Sequence, residues 1–292
     1  MAFKSDGFIA SALSPVVPVK HESDEYYIYS YDSLIMPLTY RGNGAVANQA
    51  TWNMSFSSYS LTEHALRDIV TDRDRNNADP GIKLDVDTTE YLTEKILMRR
   101  EITLQQLVQT STTWANSTSL TSTLAWTTNT TNPITQIDSA ASVVVQTSGK
   151  TPNVVALSDT VFRTAKENTS TVDRIKYTSA DSVTPMMLAR LFNVDQVLVG
   201  KATQNTAEEG IDTVTMAFIW ADTVFIGYVE RAPGLKKPSA LYTFQQEDSG
   251  NPYIVEKYRE DARKGDWVEV SSIFSHVAPA TGCGYIIEDV LQ

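Results

Sequence analysis

Asp87-Thr-Thr-Glu-Tyr-Leu-Thr-Glu-Lys-Ile-Leu-Met-Arg-Arg-Glu-Ile-Thr-Leu-Gln-Gln-Leu-Val-Gln-Thr110 is the stretch that orders the rest of the chain. Leu92, Ile96, Leu97, Leu104, Leu107 and Val108 recur along it at helical spacing, and neither proline nor glycine interrupts them. Asp87 is placed to cap, with Glu90 three residues on to complete a capping box. At the usual rise per residue such a helix is roughly 35 Å long, enough to act as the spine of the molecule.

Upstream of this helix, Thr71-Asp-Arg-Asp-Arg-Asn-Asn-Ala-Asp-Pro-Gly81 reads as a solvated turn. Its Asp72, Asp74 and Asn76 mimic a calcium loop, but Asn77 and Lys83 stand where glycine and glutamate are required, so no calcium site is expected. Ser60 to Val70 has helical spacing and a cap box in Ser60 and Glu63, which predicts a helix. Residues 33 to 60 read as a long hairpin: one arm near Leu34 to Tyr40, a tip at Arg41-Gly-Asn-Gly44, and a return arm in which Trp52, Met54 and Phe56 alternate with polar residues. Such a hairpin is marginal in water and has to lie on something. Residues 1 to 32 form an irregular apolar arm ending in Glu25-Tyr-Tyr-Ile-Tyr-Ser-Tyr31. Tyr27, Tyr29 and Tyr31 share one face of an extended chain, as an edge strand of the same sheet or an arm on a neighbour.

Downstream, residues 110 to 132 are rich in Thr, Ser and Asn, with Trp114 and Trp126 embedded, which suits strand and loop. Pro133 to Gly200 reads as alternating helix and strand. Asn132-Pro133 starts a helix to about Gln146, and Asn153 to Leu157 is a buried strand. Ser158 caps the next helix, Thr184-Pro185 opens another to Phe192, and Gln196 to Val199 is a short strand. Thr213 to Glu230 is strand-like, and Tyr242 to Leu291 is mostly strand, with a turn at Arg263-Lys-Gly-Asp266. The fold class is α+β.

Composition excludes several functions. Net charge is -11, and the 24 Lys and Arg residues are scattered apart from pairs such as Arg99-Arg100 and Lys236-Lys237, so direct phosphate gripping is disfavoured. An acidic lumen can still enclose DNA, because it repels phosphate and leaves the cargo untrapped. Pro15 and Pro18 break the apolar run from Phe8 to Val19, which argues against a signal peptide, and no stretch suits a membrane helix. The single cysteine, Cys283, and three histidines, His21, His64 and His276, lie in no catalytic or metal pattern. Gly149-Lys150-Thr151 matches only the tail of a phosphate loop, since Val144 stands where its first glycine belongs. The Asn-x-Ser/Thr triplets at Asn53, Asn116, Asn129 and Asn168 follow from composition. No catalytic, cofactor-binding or metal residues are expected.

The order of elements resembles the HK97-like major capsid proteins of tailed bacteriophages over nearly the whole chain. The resemblance rests on Tyr59-Ser-Leu-Thr-Glu63 leading to Gly81, Leu97-Met-Arg-Arg-Glu101 in the spine, Asn193-Val-Asp-Gln-Val-Leu-Val-Gly-Lys201, and the closing Gly284-Tyr-Ile-Ile-Glu-Asp-Val290. It implies an N-terminal arm at 1-32 and an E-loop with its return at 33-80. A peripheral domain with the spine helix follows at 81-124, then an axial domain at 125-238 and peripheral strands at 239-292. It further implies a structural, non-enzymatic subunit that assembles with itself into pentamers and hexamers of an icosahedral head, made in the host cytoplasm. Portal, scaffolding or decoration proteins are implied partners, and DNA is enclosed without sequence-specific binding. An encapsulin-like compartment or a tail or fibre protein are the other readings. Some relatives weld their shells through an E-loop lysine; none occurs here between Lys20 and Lys83, so no such cross-link is expected.

Overall fold

The computed structural model describes residues 7–29, 34–51, 53–79, 81–128, 131–176, 183–207, 210, 214–234, 237–247 and 251–292; Tyr31, Trp52, Asn129, Thr213 and Lys236 lie outside them. The chain opens with α1 (Ala10–Leu13) and β1 (Val16–Val19), then β2 (Ser23–Tyr29), β3 (Met54–Ser60) and β4 (Thr62–Thr71). α2 (Asp72–Asn77) leads into the long α3 (Leu84–Gln109), followed by β5 (Asn116–Ser119), α4 (Pro133–Ser148) and β6 (Val154–Ser158). Next come α5 (Asp159–Glu167), α6 (Thr169–Ile175), α7 (Pro185–Leu191), β7 (Gln196–Gly200), and the hairpin of β8 (Thr203–Asn205) and β9 (Met216–Phe218). β10 (Val224–Gly227), β11 (Tyr242–Gln246), β12 (Ile254–Glu260), β13 (Gly265–Val277) and β14 (Gly284–Glu288) complete it.

The expected spine helix is α3, but it starts three residues before Asp87. Lys83 occupies the cap position without a side-chain hydrogen bond, and Asp85 and Asp87 sit in the first turn, where negative charge suits the helix dipole. Leu92 and Ile96 pack on Val268 and Val270 of β13. Leu104 and Val108 join a larger core with Leu13, Trp114, Trp220 and Phe225.

Two local expectations fail. Ser60 to Val70 is a strand and not a helix: β4 pairs antiparallel with β13 from Thr71↔Gly265 to Thr62↔Phe274. Ten residues of ladder outweigh a weak cap-box signal, since strand pairing is set by distant partners. The polar stretch after it is not a loose turn, because Thr71 accepts a hydrogen bond from the Asp74 backbone and starts α2.

The hairpin also differs. Leu34 to Tyr40 forms no strand; the first leg is β2, with Tyr27 opposite Phe56 and Ser23 opposite Ser60. Both alternating segments were legible, but they pair with each other across a long intervening loop.

Two main sheets result. In the first, β13 has β4 on one edge and β11 and β12 on the other, with β1 parallel to β11. α3 covers the Val268 and Val270 face, while Ile273 and Val277 meet Tyr59, Leu61 and Phe244 on the other. The second sheet runs β5-β14-β10-β6-β7. Its helices start as the sequence predicts: Asn132, Ser158 and Thr184 accept from the backbones of Ile134, Val161 and Met187.

Candidate assembly surface

The loop between β2 and β3 carries a dense apolar run that the subunit itself leaves uncovered. Leu34, Ile35 and Met36 are exposed, and Leu38, Tyr40 and Val46 reach 80%, 84% and 90% exposure. A turn at its tip, closed by Ala45 N–H to the Gly42 carbonyl, places Gly44 at φ +79°, where glycine is favoured. Asn48 ties the two sides by donating to the Leu38 carbonyl at 2.7 Å. On the ribbon, Tyr27 and the exposed Phe56 lie with ring centroids 5.0 Å apart. Monomeric proteins rarely display such a contiguous patch without a partner for it.

The ribbon is rooted firmly. Tyr59 stacks on Phe244 at 4.4 Å between centroids, and Tyr26 meets the same ring at 5.6 Å. The preceding arm docks on its own chain: Ile9, Ala10 and Leu13 are buried against α3. Glu101 holds it there. Its Oε2 accepts from Ala10 N–H at 2.8 Å, both oxygens accept from Ile9 N–H, and Oε1 accepts from Trp220 Nε1–H at 2.6 Å. Burial pushes the Glu101 carboxyl up, against the pull of these donors.

Glu94, Arg100 and Glu101 are buried polar residues on α3 that the apolar pattern did not single out. Ile96, Arg100 and Leu104 fall on one face by the i, i+4 rule, so the signal for Arg100 was present.

At the far end of the first sheet, α2 is locked to the β12–β13 hairpin by charge. Arg75 reaches Asp266 at 2.6 Å and Asp85 at 2.8 Å, Lys257 reaches Asp85 at 2.7 Å, and Arg259 reaches Asp72 at 2.7 Å. These partners hold Asp72, Asp85 and Asp266 below the usual carboxylate range. Asp72 and Asp74 therefore sit on a helix and not on a calcium loop.

Of the residues weighed for chemistry, His64 and His276 meet on the Phe274 ring, and Gly149, Lys150 and Cys283 lie elsewhere. Gly149 caps the C-terminus of α4, so Gly149-Lys150-Thr151 opens no helix for a phosphate. Cys283 is buried, which pushes its thiol up. Among the described residues no group of His, Cys, Asp and Glu could hold a metal ion, and no helix is long and apolar enough to cross a membrane.

No family model matches the chain. It is 26% identical to the major capsid protein of Burkholderia phage BcepMu over 292 residues, covering 97% of this chain and 91% of that protein. A phage-related protein from Bordetella bronchiseptica matches in structure with TM-score 0.78 at 23% identity, over 99% of this chain and 94% of that one. The capsid of cyanophage P-SCSP1u matches with TM-score 0.65 at 12% identity, over 99% and 89%. The chain belongs to the HK97-like phage major capsid proteins. It is a structural subunit of a phage head and not an enzyme, and its place is the virion capsid.

Proposed function

We propose that this capsid subunit assembles with itself into pentamers and hexamers of an icosahedral head around double-stranded DNA, with loop 34–51 and its ribbon laid on a neighbouring copy. The exposed apolar run from Leu34 to Tyr40 carries this reading. Covering one Leu, Ile or Met side chain contributes roughly 1.5–3 kcal/mol, so one loop supplies several kcal/mol before ordering costs are subtracted. Contacts of that size are individually reversible, which lets a growing shell correct errors, and collectively firm once it closes.

In this reading 1–32 is the arm, 33–80 the E-loop and its return, and 125–238 the axial unit. The peripheral unit joins 81–124 to 239–292. β5 and β14 come from the two peripheral segments yet complete the axial sheet, which supports the two units moving as one body. The net charge of -11 keeps an enclosed polyanion free of the wall. Portal, scaffolding and decoration proteins are the further partners we infer.

Expression of the chain alone and with its genomic neighbours, followed by electron microscopy, tests the reading. Closed shells or rings of five and six subunits are expected, with DNA in heads purified from infected cells. A stable monomer or a trimer would overturn it, and shells filled with a protein cargo would point to a compartment instead.

A further inference from the structure

Phe274 of β13 is surrounded by three basic side chains where α3 lies on the first sheet. The His64 ring meets it at 4.7 Å between centroids, the His276 ring at 5.4 Å, and the Arg100 guanidinium stands 5.9 Å over its ring. His276 is wedged between helix and sheet, with Nε2 3.2 Å from the Arg100 carbonyl and Nδ1 2.9 Å from Thr243 Oγ1. One neutral tautomer satisfies both contacts: Nε2–H donates to the carbonyl, and the hydroxyl donates to Nδ1. Arg100 is only 5% exposed; its Nη1–H donates to Gln245 Oε1 at 3.3 Å, while Nε and Nη2 meet no acceptor.

The groups around this column offer little to absorb more positive charge. From α3, Arg99 acts on His64 and repels a second cation there. Glu101 feels the Arg100 charge, but its oxygens already serve Ile9, Ala10 and Trp220. Glu94 lies further up the same helix. From β11 come the neutral Thr243 and Gln245, and from β13 the neutral Ser272. Glu63 and Lys95, of opposite sign, line the trough on the open side of His64.

We propose that the His64–Phe274–His276 column beneath Arg100 is an acid-sensitive latch: neutral imidazoles clamp the spine helix to the sheet, and protonating them beside the buried guanidinium releases it. Burial, then the Arg100 charge, holds His276 at about 4, and burial with Arg99 holds His64 below its usual value. Because the folded state depresses these values, the latch is fully closed above 6.5 and weakens as pH falls towards about 4. For His276 the difference is a roughly 300-fold preference for the neutral ring on folding. Glu101 has the opposite sign, since its raised value favours the folded state in acid, and it acts on the α1 anchor and not on the column.

The latch lies within one chain, so its test does not depend on shell formation. The chain has only three histidines, which lets each ring be followed by NMR in the full-length subunit. Hydrogen exchange, corrected for intrinsic rate, would be measured alongside between pH 7.5 and pH 4. Amides around 100–104 and 272–277 should lose protection about 80-fold as pH falls from 6.5 to about 4, levelling off as the His276 ring itself titrates, while β6 stays protected. His276→Gln, which keeps an N–H for the Arg100 carbonyl, should stay within about twofold over the same range. His64→Gln, on the half-exposed side, should move the loss to lower pH and covers the case in which the first variant fails to fold. Wild-type protection that survives to pH 4, a His276 ring titrating near 6.5, or a folded His276→Gln variant that opens like wild type would each overturn the latch.

Discussion

Removing the oxygens of Glu101 should release the N-terminal segment, whereas removing only its charge should not. The carboxylate receives three donors: Ile9 N–H, Ala10 N–H and Trp220 Nε1–H. Glu101→Leu leaves all three buried without an acceptor, at about 1–3 kcal/mol each, so a loss of about 4 kcal/mol is expected. Glu101→Gln keeps one oxygen, and either orientation of the amide abandons one donor. Against that loss stands the relief of no longer burying a charge, the same burial that pushes the carboxyl up. The two terms oppose at similar size, and the glutamine variant should lie within about 1 kcal/mol of wild type. Urea unfolding of the unassembled subunit, read by circular dichroism and tryptophan fluorescence, measures both variants. Limited proteolysis of residues 7–14 reports the anchor separately. The sign with pH is a further check: a raised carboxyl makes wild type lose stability as pH rises through its folded value, a trend that Glu101→Gln must lack. Equal losses in the two variants would refute the reasoning, by showing that the charge and not the oxygens does the anchoring.

Four other outcomes follow from the same geometry. Gly200→Ala would place a methyl group on the indole of Trp220 and should cost about 1–3 kcal/mol by urea unfolding, through displacement of that Glu101 partner. Met36→Ser combined with Leu38→Ser should leave subunit stability within about 0.5 kcal/mol yet raise the assembly threshold at least about tenfold by light scattering, because both side chains are exposed until a neighbour covers them. The stability difference between wild type and His276→Gln should shift against wild type by about 3 kcal/mol between pH 6.5 and about 4, as the unfolded chain takes up the proton that His276 refuses; a difference that stays flat with pH would contradict this. Mature shells boiled in detergent should run as single chains, since loop 34–51 holds no lysine, and a ladder of covalent oligomers would show otherwise.

The buried polar residues of the spine helix were not singled out by its apolar pattern. Arg100 and Glu101 lie among Lys95, Arg99 and Gln105 on a helix that looks charged on every side. The spacing from Ile96 to Leu104 turns Arg100 inwards, but no comparable signal singles out Glu101. Their burial depends on what packs on the helix: Gln245 and Phe274 for Arg100, Ile9 and Trp220 for Glu101.

By itself the sequence determined the spine helix and three helix starts downstream of it. Asn132, Ser158 and Thr184 cap as predicted, and the spine helix appears where apolar residues recur without a breaker. Helical hydrogen bonds close within four residues, so the information that specifies them is local. The alternating segments Tyr27–Tyr29 and Met54–Phe56 were equally legible as strands. Tertiary structure alone decided which strands meet. Thr62–Thr71 becomes a strand because residues 265–274 lie alongside it, and Gly284–Glu288 joins the second sheet because Val224–Gly227 and Asn116–Ser119 flank it. Ladder hydrogen bonds are completed by residues far away in the chain, so a strand's place, unlike a helix's start, is written in its partners.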